Sequence, residues 1–246
     1  MYIIGDSYPV ISRCIVANNE GVGIEIAGNP RVTMRRSDIH SNSLGGIVCN
    51  GGVYLQGNTG VSDNAHEMVA CTIQGNTATD GAGLQLRQGA EVIARNCLIL
   101  DNISSRAGGA VHCSASAAYL DNCTLFGNGA TYGSALYTEG GQIFVHNSIL
   151  WGNDVNPIGG DVPSILYSDI EHGWFGPTNM AKDPRFATFQ GYEYILRPGS
   201  PCIDAGDPAI EDGISDSHPR WPEWYPNGLR SDMGTYGGSG NVEWVK

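Results

Sequence analysis

The stretch EVIARNCLILDN, residues 91–102, decides the fold. Val92 and Ala94 stand two apart, as do Cys97 and Ile99, so each pair falls on one face of an extended strand. Asn96 sits between the pairs, and the stretch reads as two short strands meeting at a polar corner. The unit recurs. With Cys14, Ser37, Cys71, Cys97, Cys123, Ser148 and Ser168 in one column, the residue two later is Val16, Ile39, Ile73, Ile99, Leu125, Leu150 and Ile170. Five after the column come Asn19, Asn42, Asn76, Asn102, Asn128 and Asn153, and the pattern fails only at Gly173. Three before it stand Ile11, Met34, Met68, Ala94, Leu120, Val145 and Ile165.

Intervals along the column are 23, 34, 26, 26, 25 and 20 residues, close to one turn of a three-sided coil. The Gly-rich segments 21–26, 45–49, 81–86, 108–113 and 133–137 suit the third strand of each turn. The expected fold is therefore all-β: a parallel β-helix of about seven rungs, its core on the order of 30 Å long at a strand spacing of roughly 4.8 Å. Asn96, Asn122 and Asn147 at one corner and the Asn19–Asn153 column at the next predict two asparagine ladders. Cys71, Cys97 and Cys123 predict a buried thiol stack rather than disulfides, since a free cysteine packs as a small hydrophobe. Rungs are expected over 1–175 and a terminal cap over 176–246, where the repeat stops and Pro, Trp and acidic residues accumulate. A solenoid end exposes apolar surface and strand edges, so Phe186, Tyr194, Leu196, Cys202 and Ile203 are expected to pack over the last rung.

Composition narrows function. With 13 basic and 25 acidic residues the net charge is −12, which repels nucleic acid and anionic membranes. No run of 18 apolar residues provides a membrane span. Seven cysteines form no CxxC pair and no zinc spacing. The beginning, MYIIGDSYPVISRC, lacks the basic and apolar regions of a signal peptide and opens inside a repeat. It reads as the start of a fragment whose parent carried the export signal and further rungs.

The repeat, with pieces such as Leu125–Asn128 and Gly108–Val111, resembles parallel β-helix proteins of the pectate-lyase-like superfamily. The tail elements NSILWGN (147–153), DPRF (183–186), PGSPCIDAGDP (198–208) and RSDMGTYGG (230–238) are similar to a terminal module of bacterial secreted and surface β-helix proteins. That resemblance implies a right-handed coil and an extracellular or cell-surface location, but no single activity.

Pectate lyases bind Ca²⁺ through Asp and Glu beside a basic residue. The resemblance makes Glu25, Arg35, Arg36, Asp38 and His40 the catalytic candidates, against a reading in which they are solvated outward charges. The carboxylate motifs of β-helix polygalacturonases are missing, with EHG at 171–173 only a partial likeness, and no GxSxG elbow occurs. His66, His112, His146 and His172 are expected at the surface or at corners. The 34-residue interval predicts a loop over 56–67, where Asn58, Asp63, Asn64 and Glu67 are candidate sugar or cation contacts. Asp204, Asp207, Glu211, Asp212, Asp216 and Asp232 offer oxygen ligands for a structural Ca²⁺, without EF-hand spacing; otherwise no cofactor is expected. Trp221, Trp224 and Tyr225 are candidates for stacking on sugars. The leading expectation is a non-catalytic stalk, adhesive or glycan-contacting module joined to upstream rungs or neighbouring modules. The alternatives are a truncated polysaccharide lyase or glycosidase, and a self-assembling filament subunit.

Overall fold

The computed structural model describes residues 1–51, 65–214, 222 and 228–245. The chain coils into three parallel sheets, each seven strands deep among the described residues. The first face stacks Tyr2–Ile4, Ile24–Ala27, Ile47–Asn50, Leu84–Arg87, Val111–Ser114, Leu136–Glu139 and Ile158–Gly160. These strands include the Gly-rich segments. The second face contains Val10–Ser12, Thr33–Arg35, His66–Val69, Glu91–Arg95, Ala117–Asp121, Gln142–His146 and Ser164–Leu166. The third runs from Ile15–Ala17 to Asp169–Ile170. Alternation points one set of side chains inward: Ile39, Ile73, Ile99, Leu125, Leu150 and Ile170 are all buried in a single continuous core. All seven cysteines are free, and burial pushes the thiols of Cys49 and Cys113 up to about 12, so they stay protonated. His66 faces this core and accepts the Val32 amide, contrary to the expected surface position. Val92, its register partner, is an inward residue, and strand parity carries His66 inward with it.

The corner after the third face holds a complete ladder. Asn19, Asn42, Asn76, Asn102 and Asn128 each donate Nδ2 to the Oδ1 of the next rung's asparagine, at 2.6, 2.9, 2.9, 3.1 and 3.0 Å. The same Oδ1 atoms accept the preceding asparagine's backbone amide. The remaining amide hydrogen of Asn76, Asn102 and Asn128 goes to a carbonyl one rung back, on Ile39, Ile73 and Ile99.

The corner between the second and third faces differs from the expected second ladder. Every rung places its corner residue in the left-handed region: Arg13, Arg36, Ala70, Asn96, Asn122, Asn147 and Tyr167 have φ from 48° to 54°. Asparagine tolerates that conformation. Asn122 Nδ2 reaches the Asn147 backbone carbonyl at 3.5 Å, but among the described residues no side-chain-to-side-chain bond links Asn96, Asn122 and Asn147. They hold the chain's own tail. Asn147 Oδ1 accepts the Asp207 amide, Asn122 Nδ2 donates to the Asp232 carbonyl, and Asn96 Nδ2 donates to the carbonyls of Thr235 and Gly237. Trp244 then donates its indole N–H to the Asn96 carbonyl, and Glu243 ion-pairs with Arg36.

The tail is thus a strap along the side of the solenoid, where a cap over its end was expected. Hairpin strands Phe186–Phe189 and Tyr192–Leu196 place Phe186 and Tyr194 on the outward Phe126, with ring centroids 5.9 and 5.0 Å from it. Leu196 and Cys202 join Ile149, Met233 and Tyr236 in a second core on the outside of the third face, with Ile203 packed against it. Outward Phe126, Ile149 and Trp151 supply the apolar surface that this part of the tail covers. Nearby chain covers part of the last rung: Asp169 bridges Met180, Asn179 Nδ2 donates to the Ile165 carbonyl at 2.9 Å, and Trp174 packs against the main core.

Replacing Asn102 with Ala strands the Asn76 amides and the Ile73 carbonyl on the preceding rung and takes one donor from Asn128 Oδ1 on the next, which should cost about 2–4 kcal/mol in urea unfolding. The same change at exposed Asn19, on the first rung, should cost less than about 1 kcal/mol. Equal losses would refute the ladder's role.

Candidate functional site

The outward positions of the first face form a continuous row. Glu25, Val48, Gln85, His112, Tyr137 and Gly159 are register partners in succession, one per rung. A second row beside it carries the pairs Asn50–Arg87 and Ser114–Glu139. Outward residues of a solenoid normally stay wet, yet Gln85 is 4% and His112 5% exposed. The cause is local. Strands Thr77–Asp80 and Ile103–Ala107 form an extra two-stranded sheet, and the chain then folds onto the face through Gly81 and Gly108. A Cβ at either glycine would lie 2.6 Å from the Cβ of Gln85 or His112, so no other residue permits the approach.

This fold-over delivers Asp80, itself 8% exposed, and Arg106 to the row. Arg106 Nε donates to Asp80 Oδ1 at 2.8 Å and its Nη2 to Oδ2, a two-pronged pair. Burial alone would raise the Asp80 carboxyl, but the Arg106 bonds and the charges of His112, Arg106 and Arg87 hold it below the ordinary carboxylate range. Burial pushes His112 below the usual imidazole range, opposed by the Asp80 charge. His112 is therefore a neutral ring at pH 7, stacked on Tyr137 with centroids 5.4 Å apart and planes 12° apart. Its Nδ1 is buried with no hydrogen-bond partner among the described residues. Arg87 is exposed and has no ion pair among them. Gln85, His112 and Asp80 are covered, so at its surface the arrangement presents the half-buried Tyr137 ring with exposed Arg87 and Glu139 beside it.

The residues anticipated from sequence are dispersed differently. Glu25 belongs to this face, two strands before Gln85, and accepts a 3.4 Å bond from Asn50. Arg35 ends a second-face strand and pairs with Glu67 at 3.6 Å. Arg36 is a corner residue, and Asp38 and His40 are outward on the third face, 4.0 Å apart. The five do not form one site, because successive residues turn the corner onto different sides; Arg36 and Asp38 share one cleft, while Glu25 and Arg35 lie apart from it. Glu67 belongs to a second-face strand, not a loop, and also pairs with Arg95 at 2.6 Å. Asn58, Asp63, Asn64, Asp216, Trp221, Trp224 and Tyr225 lie outside the described residues.

The described acidic tail residues act on the strap's own backbone. Asp207 accepts the Ala209 amide and contacts His146 at 3.1 Å, Asp212 accepts the amides of Asp232 and Gly238, and Asp232 accepts that of Asp204 at 2.7 Å. Glu211 bridges Arg230 through the backbone. Among the described residues no three His, Cys, Asp or Glu side chains group as metal ligands.

Sequence reading missed Asp80, Gln85, Arg87, Arg106, His112 and Tyr137 as one group. Their signal was present as the polar residue alternating with apolar ones in GAGLQLR (81–87) and GGAVHC (108–113). Comparison with known families finds that the family described as a right handed beta helix region matches residues 2–162. No curated protein and no solved structure gives a significant match.

Replacing Asp80 with Asn removes the charge that raises His112, so an NMR titration should place the imidazole midpoint lower than in the parent chain. An upward shift would show that the two groups do not interact as described.

Proposed function

The chain belongs to the right-handed beta-helix family, and on that premise we propose that it is a non-catalytic scaffold outside the cell whose first face holds a polysaccharide. The observation that carries this reading is the half-buried Tyr137 ring, held by its stack on His112, with exposed Arg87 and Glu139 in the row beside it. Rungs repeat at roughly 4.8 Å, so polar groups are offered at intervals that suit successive sugars of a chain lying along the axis. Tyr137 supplies a ring for stacking, Glu139 and Arg87 supply hydroxyl partners, and Arg87 is the available cation for an acidic sugar, while Gln85 and His112 lie beneath the fold-over and support the row from below.

Two features favour holding over cleaving. Arg106 is already engaged by Asp80, so it is not available to activate a carboxylate-bearing substrate. His112, the imidazole of the group, is neutral but buried, where gaining a proton is disfavoured. The tail elements that resemble a terminal module of secreted bacterial β-helix proteins support the extracellular location and a place in the pectate-lyase-like superfamily. Among the described residues no helix is long and apolar enough to cross a membrane.

Titration with neutral and uronate oligosaccharides should show binding that Tyr137→Ala weakens about tenfold and Arg87→Gln weakens for the uronate series alone. Absorbance of an unsaturated product should not rise on prolonged incubation. Failure of every oligosaccharide to bind would overturn the reading, and product absorbance would replace it with a lyase.

A further inference from the structure

Where the strap ends, it builds a second pocket on another side of the molecule. The short helix Val242–Val245 lays Glu243 and Trp244 beside the corner of the second and third faces. A cleft of ≈ 170 Å³ remains between them and Arg36, Asp38, Ala70 and Thr72. Its origin lies in the corner row. At the next three rungs that corner is Asn96, Asn122 and Asn147, whose amides fill the space under the strap. At Ala70 only a methyl stands there, although φ of 50° disfavours alanine and suits asparagine. A residue that is locally unfavourable and leaves a gap marks a place where the gap itself has a use.

The walls define what fits. Trp244 is held by its N–H to the Asn96 carbonyl at 2.9 Å and by an edge contact with Tyr236 at 5.5 Å, so it walls the cleft in the free chain. Arg36 is locked to Glu243. Arg36 Nε and Asp38 Oδ1 are nevertheless buried with no hydrogen-bond partner among the described residues, one a donor and one an acceptor. A hydroxyl group can serve both, since it accepts and donates. Carboxylates of Asp38 and Glu243 on the lining oppose an anion. The volume lies below the range of pockets for drug-sized ligands, so the occupant is about one ring in size.

We propose that this cleft binds a single neutral pyranose ring, its apolar face toward Trp244 and Ala70 and its hydroxyls toward Asp38, Arg36 and Thr72. Reaching the two buried atoms displaces the Trp244 side chain, so binding competes with its bond to the Asn96 carbonyl and its contact with Tyr236. The site is independent of the first face, and a terminal sugar could occupy it whether or not a polymer is held there.

The test uses the full chain and the methyl glycosides of glucose, galactose and mannose, followed by amide and indole NMR shifts. At least one glycoside should give saturable shifts at Ala70, Thr72 and the Trp244 indole. Asp38→Asn should weaken it about tenfold. Ala70→Asn is the decisive variant: it fills the cleft with the residue the neighbouring corners use, so it should abolish binding while leaving the melting temperature equal or higher. No saturable shift with any glycoside, shifts at Gln85 and His112 instead, or an Ala70→Asn variant that binds within about twofold of the parent would each overturn the proposal. Polymer binding that persists in those cases would leave the first-face reading standing.

Discussion

The constraint on which the rest depends is the inward row of asparagine amides from Asn19 to Asn153. In a coil of short strands each corner leaves peptide groups facing a dry interior, and every such group needs a partner. A single asparagine per rung solves this at one corner: its oxygen takes the previous rung's amide and side chain, and its nitrogen reaches back to a carbonyl. Because each side chain bonds the next, the ladder also sets the rungs in phase. Insertions between rungs are then tolerated so long as the asparagine returns to the column, as the 34-residue interval between Ser37 and Cys71 shows. The strands themselves, two to five residues long, could not select a register alone.

Phasing has consequences on the outside. It lines up the left-handed corner residues, and the tail uses that line as a track, bonding Asn147, Asn122 and Asn96 in turn before Glu243 reaches Arg36. One set of asparagines holds rungs to each other and the other holds the tail to the rungs. The strap covers the third face and its corner, where Ile149, Trp151 and Phe126 present apolar surface. The first face is left open, except where Gly81 and Gly108 let the chain fold onto Gln85 and His112. The open first face, proposed as the binding row, and the covered flank therefore follow from one repeat.

The coil was legible in the sequence because its signals are periodic: apolar pairs two apart, one column of small residues and one of asparagine. The thiol column was legible for the same reason, since Cys71, Cys97 and Cys123 share a register with Ser37 and Ser148. What could not be read were contacts between residues far apart in the chain. Asn96 and Asn42 look alike in a one-rung pattern, yet the first bonds a segment some 140 positions later and the second its neighbour in the column. His66 and Val92 share a strand position, but polarity alone suggested a surface site for the histidine. The set Glu25, Arg35, Arg36, Asp38 and His40 looked compact because it is close in sequence, whereas a corner within Arg35–Asp38 sends its members to different sides. Asp80, Arg106 and His112 are brought together by two glycine turns whose effect depends on close approach rather than on spacing.

The central claim is that rungs phased by asparagine present the open first face as the binding surface while the strap occupies the opposite corner. Hydrogen exchange of the full chain with and without a saturating polysaccharide tests it most directly. The account predicts added protection over 84–87, 111–114 and 136–139, with the ladder and the strap at 231–244 unchanged. Protection that falls on the strap or the second face, with the first face unaltered, would contradict it.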